Sequence, residues 1–229
     1  ANGYASFMLS GLMMNGLQIG IMLSLAPALV TELFRRRFTD RNAFLILLGK
    51  SLPYWCFALT AYVLALMFDL LEEKDRSKAA ETLVRLLHGN RDHLNTGFVG
   101  TPYLCHVLSG FGHHDLACKL LLHTDFPSWL YPVTKGATTI WEHWDSLTEE
   151  RGFGGQNAMN SFNHYSLGSV LSWLYQYVLG IRREEEHPGF AHFRLEPVIG
   201  DLIWAKGSVN SPYGVIESGW KKENGHILY

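Results

Sequence analysis

Between about Pro53 and Leu121 the chain repeats one pattern, an apolar stripe at helical spacing followed by a short polar turn. Phe57, Ala58, Ala61, Tyr62, Leu64, Ala65 and Phe68 recur in this way and stop at Asp69, which predicts a helix with one buried face. Ser77 is placed as the cap of a second helix, with Ala80, Leu83, Val84 and Leu87 inward and Gly89 as its stop. Thr96 is placed as the cap of a third, running through Phe98, Tyr103, Leu104, Val107 and Leu108 to near Gly110. Asp115 starts a fourth, with Leu116, Leu120 and Leu121 inward. Turns this short make successive helices antiparallel neighbours, so the stretch is restricted to helical hairpins, either in a simple bundle or in a ring.

The remainder divides around that block. Residues 125–157 carry Pro127, Pro132 and a glycine-rich end, and Trp129-Leu130-Tyr131 and Thr139-Ile140-Trp141 read as short extended pieces around a turn at Lys135-Gly136. Asn160 or Ser161 then opens a helix to Leu179, closed by Gly180, on which Asn160, His164 and Gly168 would share a face. The charged run Arg182–Glu186 marks a boundary. Beyond it, Phe193–Val198, Leu202–Lys206 and Val215–Lys221 read as strands, and Asn224-Gly225 is a hairpin signal. Only His226–Tyr229 follow, so the last strand is expected to be cut short, leaving an edge open to self-association.

The first charged residue is Glu32, and the run Phe7–Val30 is long enough to span a bilayer, with Arg35-Arg36-Arg37 after it. Asn15, Gln18, Gly11, Gly16, Gly20 and Pro27 interrupt the run, which favours a segment of a soluble protein. A membrane-anchored helical protein stays open as the alternative. Net charge is −2, with basic and acidic residues well mixed, so no positive field exists to hold nucleic acid. Cys56, Cys105 and Cys118 are an odd number without CxxC spacing. Buried thiols follow, leaning toward the cytoplasm over a secreted or periplasmic location. The histidines, His113-His114 included, show no HExxH or i,i+4 ligand pair, so neither a metal nor a cofactor is expected.

The chemistry-bearing stretch is Gly136-Ala137-Thr138-Thr139-Ile140-Trp141-Glu142-His143-Trp144-Asp145. Glu142 stands between two indoles. Indole faces suit the apolar C–H faces of a pyranose, and a carboxylate can take a proton from water or a hydroxyl. The plain alternative is two core tryptophans with a rim charge between them.

The ordered set Thr96-Gly97-Phe98-Val99-Gly100-Thr101-Pro102-Tyr103-Leu104, Pro127-Ser128-Trp129-Leu130-Tyr131-Pro132-Val133, the Trp141-Glu142 stretch and Met159-Asn160-Ser161-Phe162-Asn163-His164-Tyr165 resembles the catalytic domain of the α-L-rhamnosidase family of glycoside hydrolases. Trp204–Ser208 and Ser211–Gly214 resemble the start of that family's C-terminal β-domain. The similarity covers about residues 58–229. It implies a mainly α fold: residues 58–186 as part of an (α/α)6 toroid, then residues 187–229 as a short, truncated antiparallel β segment. Residues 1–57 form an apolar segment that does not match the family pattern. It further implies hydrolysis of terminal α-L-rhamnose from a rhamnosylated glycoside or oligosaccharide, with inversion and without a metal. Glu142 maps to the general base and His164 to a sugar-pocket residue, with Trp141, Trp144, Asn163, Trp129 and Tyr103 as further substrate-binding candidates. The family's general acid lies in an upstream motif that residues 1–57 do not carry, so this chain alone is expected to be close to inactive. The alternative is a non-catalytic sugar-binding or structural module.

Overall fold

In the computed structural model the described residues are 55–150, 152–153 and 159–229. The apolar run Phe7–Val30, the arginines after it and the glycines at 154 and 155 lie outside them, as does the side chain of Cys56. Among the described residues, no helix is long and apolar enough to cross a membrane.

Four helices carry the core: α1 (Trp55–Met67), α2 (Glu73–Gly89), α3 (Gly97–Gly110) and α4 (His114–Leu122). α1 packs against α2 and α3, and α3 against α4. Leu59, Val63 and Leu66 of α1, Leu83 and Leu87 of α2, Leu104 and Leu108 of α3 and Leu120 of α4 are all fully buried, which is the interior that the stripes demand. α1 and α3 approach closely at Gly100, where an added Cβ would meet Thr60 Oγ1 at 2.9 Å. Thr60 Oγ1 also donates to Thr96 O, 2.9 Å away.

The predicted caps differ in detail. α2 begins at Glu73, so Ser77 is interior to the helix; Glu73 and Asp75 occupy its first turn, where acidic groups meet the positive end of the helix dipole. Thr96 does sit at the N-cap of α3, but its hydroxyl makes no capping bond. It pairs instead with Thr101 Oγ1 at 2.8 Å. Trp129-Leu130-Tyr131 is not extended: α5 (Leu130–Thr134) forms there, because the buried Ser128 hydroxyl accepts the Tyr131 N–H.

The expected helix from residue 160 starts late. Residues 159–166 are irregular, a 3-10 turn covers Leu167–Ser169, α6 covers Val170–Trp173 and a π-turn covers Leu174–Val178. Asn160, His164 and Gly168 therefore share no helical face. The cause is competition for polar groups: Asn160 binds Ser146 through Oδ1 (2.6 Å) and Nδ2 (3.0 Å), and the backbone of 161–164 pairs with residues 140–142.

The strand segments form three small antiparallel sheets: β1 (Leu147–Thr148) with β2 (Gly152–Phe153), β3 (Ile181–Arg183) with β4 (Phe193–Leu195), and β5 (Trp204–Ser211), β6 (Gly214–Glu223) and β7 (His226–Leu228) in order. Asn224 and Gly225 both take positive φ, as a two-residue hairpin turn requires. The charged run is thus not merely a boundary, since Arg182 and Arg183 pair with Arg194 and Phe193.

The end of the helical part is stitched to the β part. Trp220 Nε1 donates to Val178 O at 2.7 Å, Ser218 Oγ to Leu179 O at 2.6 Å, and the Glu196 N–H to Gly180 O at 2.9 Å. Gly180 has φ +70°, and a Cβ there would collide with the Pro197 backbone. Gly180→Ala is therefore expected to destabilise the chain by about 2–3 kcal/mol. Gly225→Ala, at φ +78° with open space around it, is expected to cost only about 1 kcal/mol. Urea unfolding of the two variants checks the ordering.

A second tie joins α2 to α4. Buried Asp92, at φ +57°, accepts from Lys119 Nζ and His88 Nδ1, each at 2.5 Å. Burial alone would raise its carboxyl, but the hydrogen bonds and charges of Lys119 and His88 outweigh it and hold the group below the usual carboxylate range. A lowered folded value stabilises the fold above the unfolded value, and that contribution fades as pH falls through the folded one. Asp92→Asn is expected to cost about 1–2 kcal/mol at neutral pH, Lys119 being half exposed. The deficit should shrink in acid, which urea unfolding at the two pH values measures.

Candidate active site

The site is built by two irregular segments lying side by side. The Glu142 N–H donates to Ser161 O at 2.9 Å and the His164 N–H to Ile140 O at 2.8 Å. The Thr139 hydroxyl donates to Phe162 O. These bonds satisfy backbone groups that have no helix or strand to serve them, and they fix Glu142 and His164 on adjoining chain segments. The next turn is locked by Ser146, which is 2% exposed. Its hydroxyl accepts the His143 N–H at 3.1 Å and reaches Asn160 Oδ1.

Aromatic rings support this frame from both sides. Trp141 is buried and packs on Phe162 (centroids 5.0 Å), which in turn meets Phe153 at 4.4 Å. Trp129, also buried, donates its indole N–H to Leu167 O at 2.8 Å and meets Trp144 edge-on at 5.5 Å. His164 stacks between Phe98 (5.0 Å, 13°) and Tyr165 (5.7 Å, 4°), and Phe98 also faces His143 at 6.4 Å. Phe98 and Tyr165 are both exposed, so this stack opens to solvent.

Glu142 is half-buried. Among the described residues its carboxylate has neither a hydrogen-bond nor an ion-pair partner. His164 has a defined tautomer: Nδ1 accepts the Ser166 N–H at 3.3 Å, so in the neutral ring the proton sits on Nε2, which is left as a donor. A carboxylate that can accept a proton and an imidazole N–H that can hold a hydroxyl oxygen thus stand on adjoining segments, the imidazole between two exposed aromatic rings.

The other expected residues divide. Trp144 is half-buried against Trp129, while Trp141 and Trp129 form walls behind the site and present no open face. Asn163 is exposed, its N–H bound to Ser161 Oγ. The ring of Tyr103 packs edge-on against Phe68 at 5.3 Å, so its recorded aromatic contact lies in the helical layer. Phe98 and the Ser146–Asn160 clamp were not expected. The stripe reading turns Phe98 inward, whereas the structure leaves it exposed beside Gly97 at the start of α3, and that glycine is the signal in the sequence. Two open concavities of about 540 and 580 Å³ lie in the β part, and neither has Glu142 or His164 in its lining.

The family model described as the bacterial alpha-L-rhamnosidase 6 hairpin glycosidase domain matches residues 27–178, beginning within the segment 1–57 that the motifs alone leave outside the family, and that of the bacterial alpha-L-rhamnosidase C-terminal domain matches residues 180–229. The junction between them falls at Gly180. An alpha-L-rhamnosidase of Alteromonas sp. (strain LOR) is 40% identical over 192 residues, covering 83% of this chain and 20% of that protein. One from Streptomyces avermitilis is 42% identical over 174 residues, covering 74% and 16%. Among solved structures, Streptomyces avermitilis alpha-L-rhamnosidase complexed with L-rhamnose superposes with a TM-score of 0.69 at 40% identity, covering 74% of this chain and 16% of that one. The native enzyme from Aspergillus terreus superposes with a TM-score of 0.66 at 39% identity, covering 71% and 19%. The chain spans about a fifth or less of the length of the curated relatives that it matches. The helices are part of an α/α toroid followed by a β segment, and the chain belongs to the bacterial α-L-rhamnosidase family of six-hairpin glycoside hydrolases.

Proposed function

We propose that this chain supplies the general-base side of an inverting glycosidase site for terminal α-L-rhamnose. The observation that carries the reading is the unpartnered Glu142 carboxylate held by backbone bonds beside the His164 stack. In this reading Glu142 takes a proton from a water as its oxygen attacks the anomeric carbon, on the face opposite the departing aglycone. The bond from that carbon to the glycosidic oxygen breaks, and the aglycone oxygen receives a proton from an acid. Such a pair of carboxyls stands about 6.5–9.5 Å apart, leaving room for the water. No residue of this chain is assigned as the acid.

His164 holds a sugar hydroxyl through its Nε2–H, with Nδ1 kept as acceptor by the Ser166 N–H. Trp144 and Asn163 border the sugar, Trp141 and Trp129 back the wall, and Tyr103 belongs to a more distant rim. A carboxylate kept free of cations favours catalysis over a purely binding module, which would gain from neutralising it. The substrate class is a rhamnosylated glycoside or oligosaccharide, consistent with the activity named for the relatives.

In an active rhamnosidase carrying this segment in place of its own, Glu142→Gln is expected to lower kcat by about 10²–10⁴-fold with little change in KM. His164→Ala is expected to raise KM about tenfold, the loss of roughly one hydrogen bond. Near-normal turnover of the Glu142→Gln enzyme sinks the assignment. The 229-residue chain by itself is expected to bind L-rhamnose weakly and to hydrolyse an aryl rhamnoside negligibly. Glu142-dependent turnover by the chain alone would mean that the acid lies within it.

A further inference from the structure

Outside this site, three side chains with metal-binding atoms converge from two loops distant in sequence. His93 follows the end of α2, and His123 and Asp125 follow the end of α4. Asp125 turns one carboxylate oxygen to each imidazole: Oδ2 lies 2.8 Å from His93 Nε2, and Oδ1 lies 3.4 Å from His123 Nδ1. The two rings are stacked with centroids 4.6 Å apart, and all three ligand atoms fall within 4.8 Å of one another. Both imidazoles are half-buried, whereas Asp125 is exposed.

The hydrogen bonding around His93 fixes the orientation of its ring. Its Nδ1 lies 2.7 Å from Arg91 O. A carbonyl oxygen only accepts, so Nδ1 carries a proton and donates. A ring N–H given to a backbone carbonyl is the usual outer support of a metal-binding histidine, which leaves Nε2 as the nitrogen turned to an ion. Nε2 lies 2.8 Å from Asp125 Oδ2, an oxygen that only accepts, so without an ion Nε2 donates a proton to it. A divalent cation between them would take the place of that proton and engage both imidazoles at once.

The position of Arg91 O is itself enforced. Arg91 and Asp92 are consecutive non-glycine residues at φ +57°, a conformation that persists only where the surroundings over-determine it. Here Asp92 is held by Lys119 and His88, and the Asn90 side chain donates to His93 O at 2.9 Å. His123 is fixed differently. Its Nε2 is buried and, among the described residues, has no partner, so Nδ1 is the nitrogen it presents to the carboxylate.

We propose that His93, His123 and Asp125 form a binding site for a divalent ion of the zinc type, clipping the loop after α2 to the loop after α4. Tetrahedral zinc with bonds of about 2.0–2.2 Å sets neighbouring ligand atoms about 3.3 Å apart, and three ligand atoms within 4.8 Å of one another reach that spacing by small side-chain rotations. Two imidazoles and a carboxylate suit zinc over calcium or magnesium, which take oxygen ligands. Asp125, the exposed member of the three, gives an ion a route in from solvent, and a water would complete a four-coordinate site. The loop clipped in this way continues directly into Pro127, Ser128 and Trp129, so the ion would steady the wall behind Trp144.

Calorimetric titration of the metal-free chain with zinc chloride, with cobalt(II) absorption as a second reporter, tests the proposal. One equivalent is expected to bind, to give the visible bands of a tetrahedral cobalt site, and to raise Tm. Asp125→Ala, at an exposed position that folding tolerates, is expected to weaken binding tenfold or more and to abolish the Tm shift. His187→Ala removes the alternative cluster of Glu184, His187 and His192 and should leave binding unchanged. Absence of binding, or binding lost in His187→Ala and kept in Asp125→Ala, overturns the proposal.

Discussion

The pairing of residues 139–142 with 161–164 is the constraint on which the site depends. Three hydrogen bonds, from Thr139, Glu142 and His164, join two stretches that belong to no helix or sheet. A backbone without regular structure must find partners elsewhere or leave its polar groups unsatisfied. These two stretches satisfy each other. The consequence is that a carboxylate and an imidazole some twenty residues apart in sequence sit on adjoining segments.

Everything around that pairing is arranged to hold it still. Trp141 and Phe162 pack behind it, one ring from each segment. Ser146 and Asn160 close its far end with two short bonds. The helical core stands beneath, and Phe98 at the start of α3 carries the His164 ring. On the other side, the π-turn at Leu174–Val178 ends in Gly180, whose lack of a side chain lets the β segment close on the helical part. The boundary between the two matched families falls at that residue. The junction is a covalent and a packed one, since Trp220 and Ser218 bond to the carbonyls just before it.

Much of this was legible in the residues, and the remainder failed for a common reason. The stripes of α1 to α4 and the Asn224-Gly225 hairpin are local patterns, and local patterns are what spacing reveals. The helix expected from Asn160 did not form because Ser146, far back in the chain, takes the Asn160 side chain. Ser128 wound Trp129-Leu130-Tyr131 into a helical turn by accepting one N–H. Acidic residues in the first turn drew the start of α2 past Ser77. The stack of Phe98 on His164 and the approach of His93 to Asp125 join segments that no periodicity connects. Glu142 is proposed from its indole neighbours and the family pattern, and one of those indoles, Trp141, is buried.

The central claim is that Glu142 and His164 address one sugar. Titrating isotopically labelled chain with L-rhamnose and following side-chain resonances tests it most directly. The account expects the Glu142 carboxylate, the His164 Nε2–H and the Trp144 indole to shift together along one saturating curve, while the Trp220 indole stays fixed. Shifts that leave Glu142 and His164 unmoved, or that follow different affinities at the two residues, would contradict it.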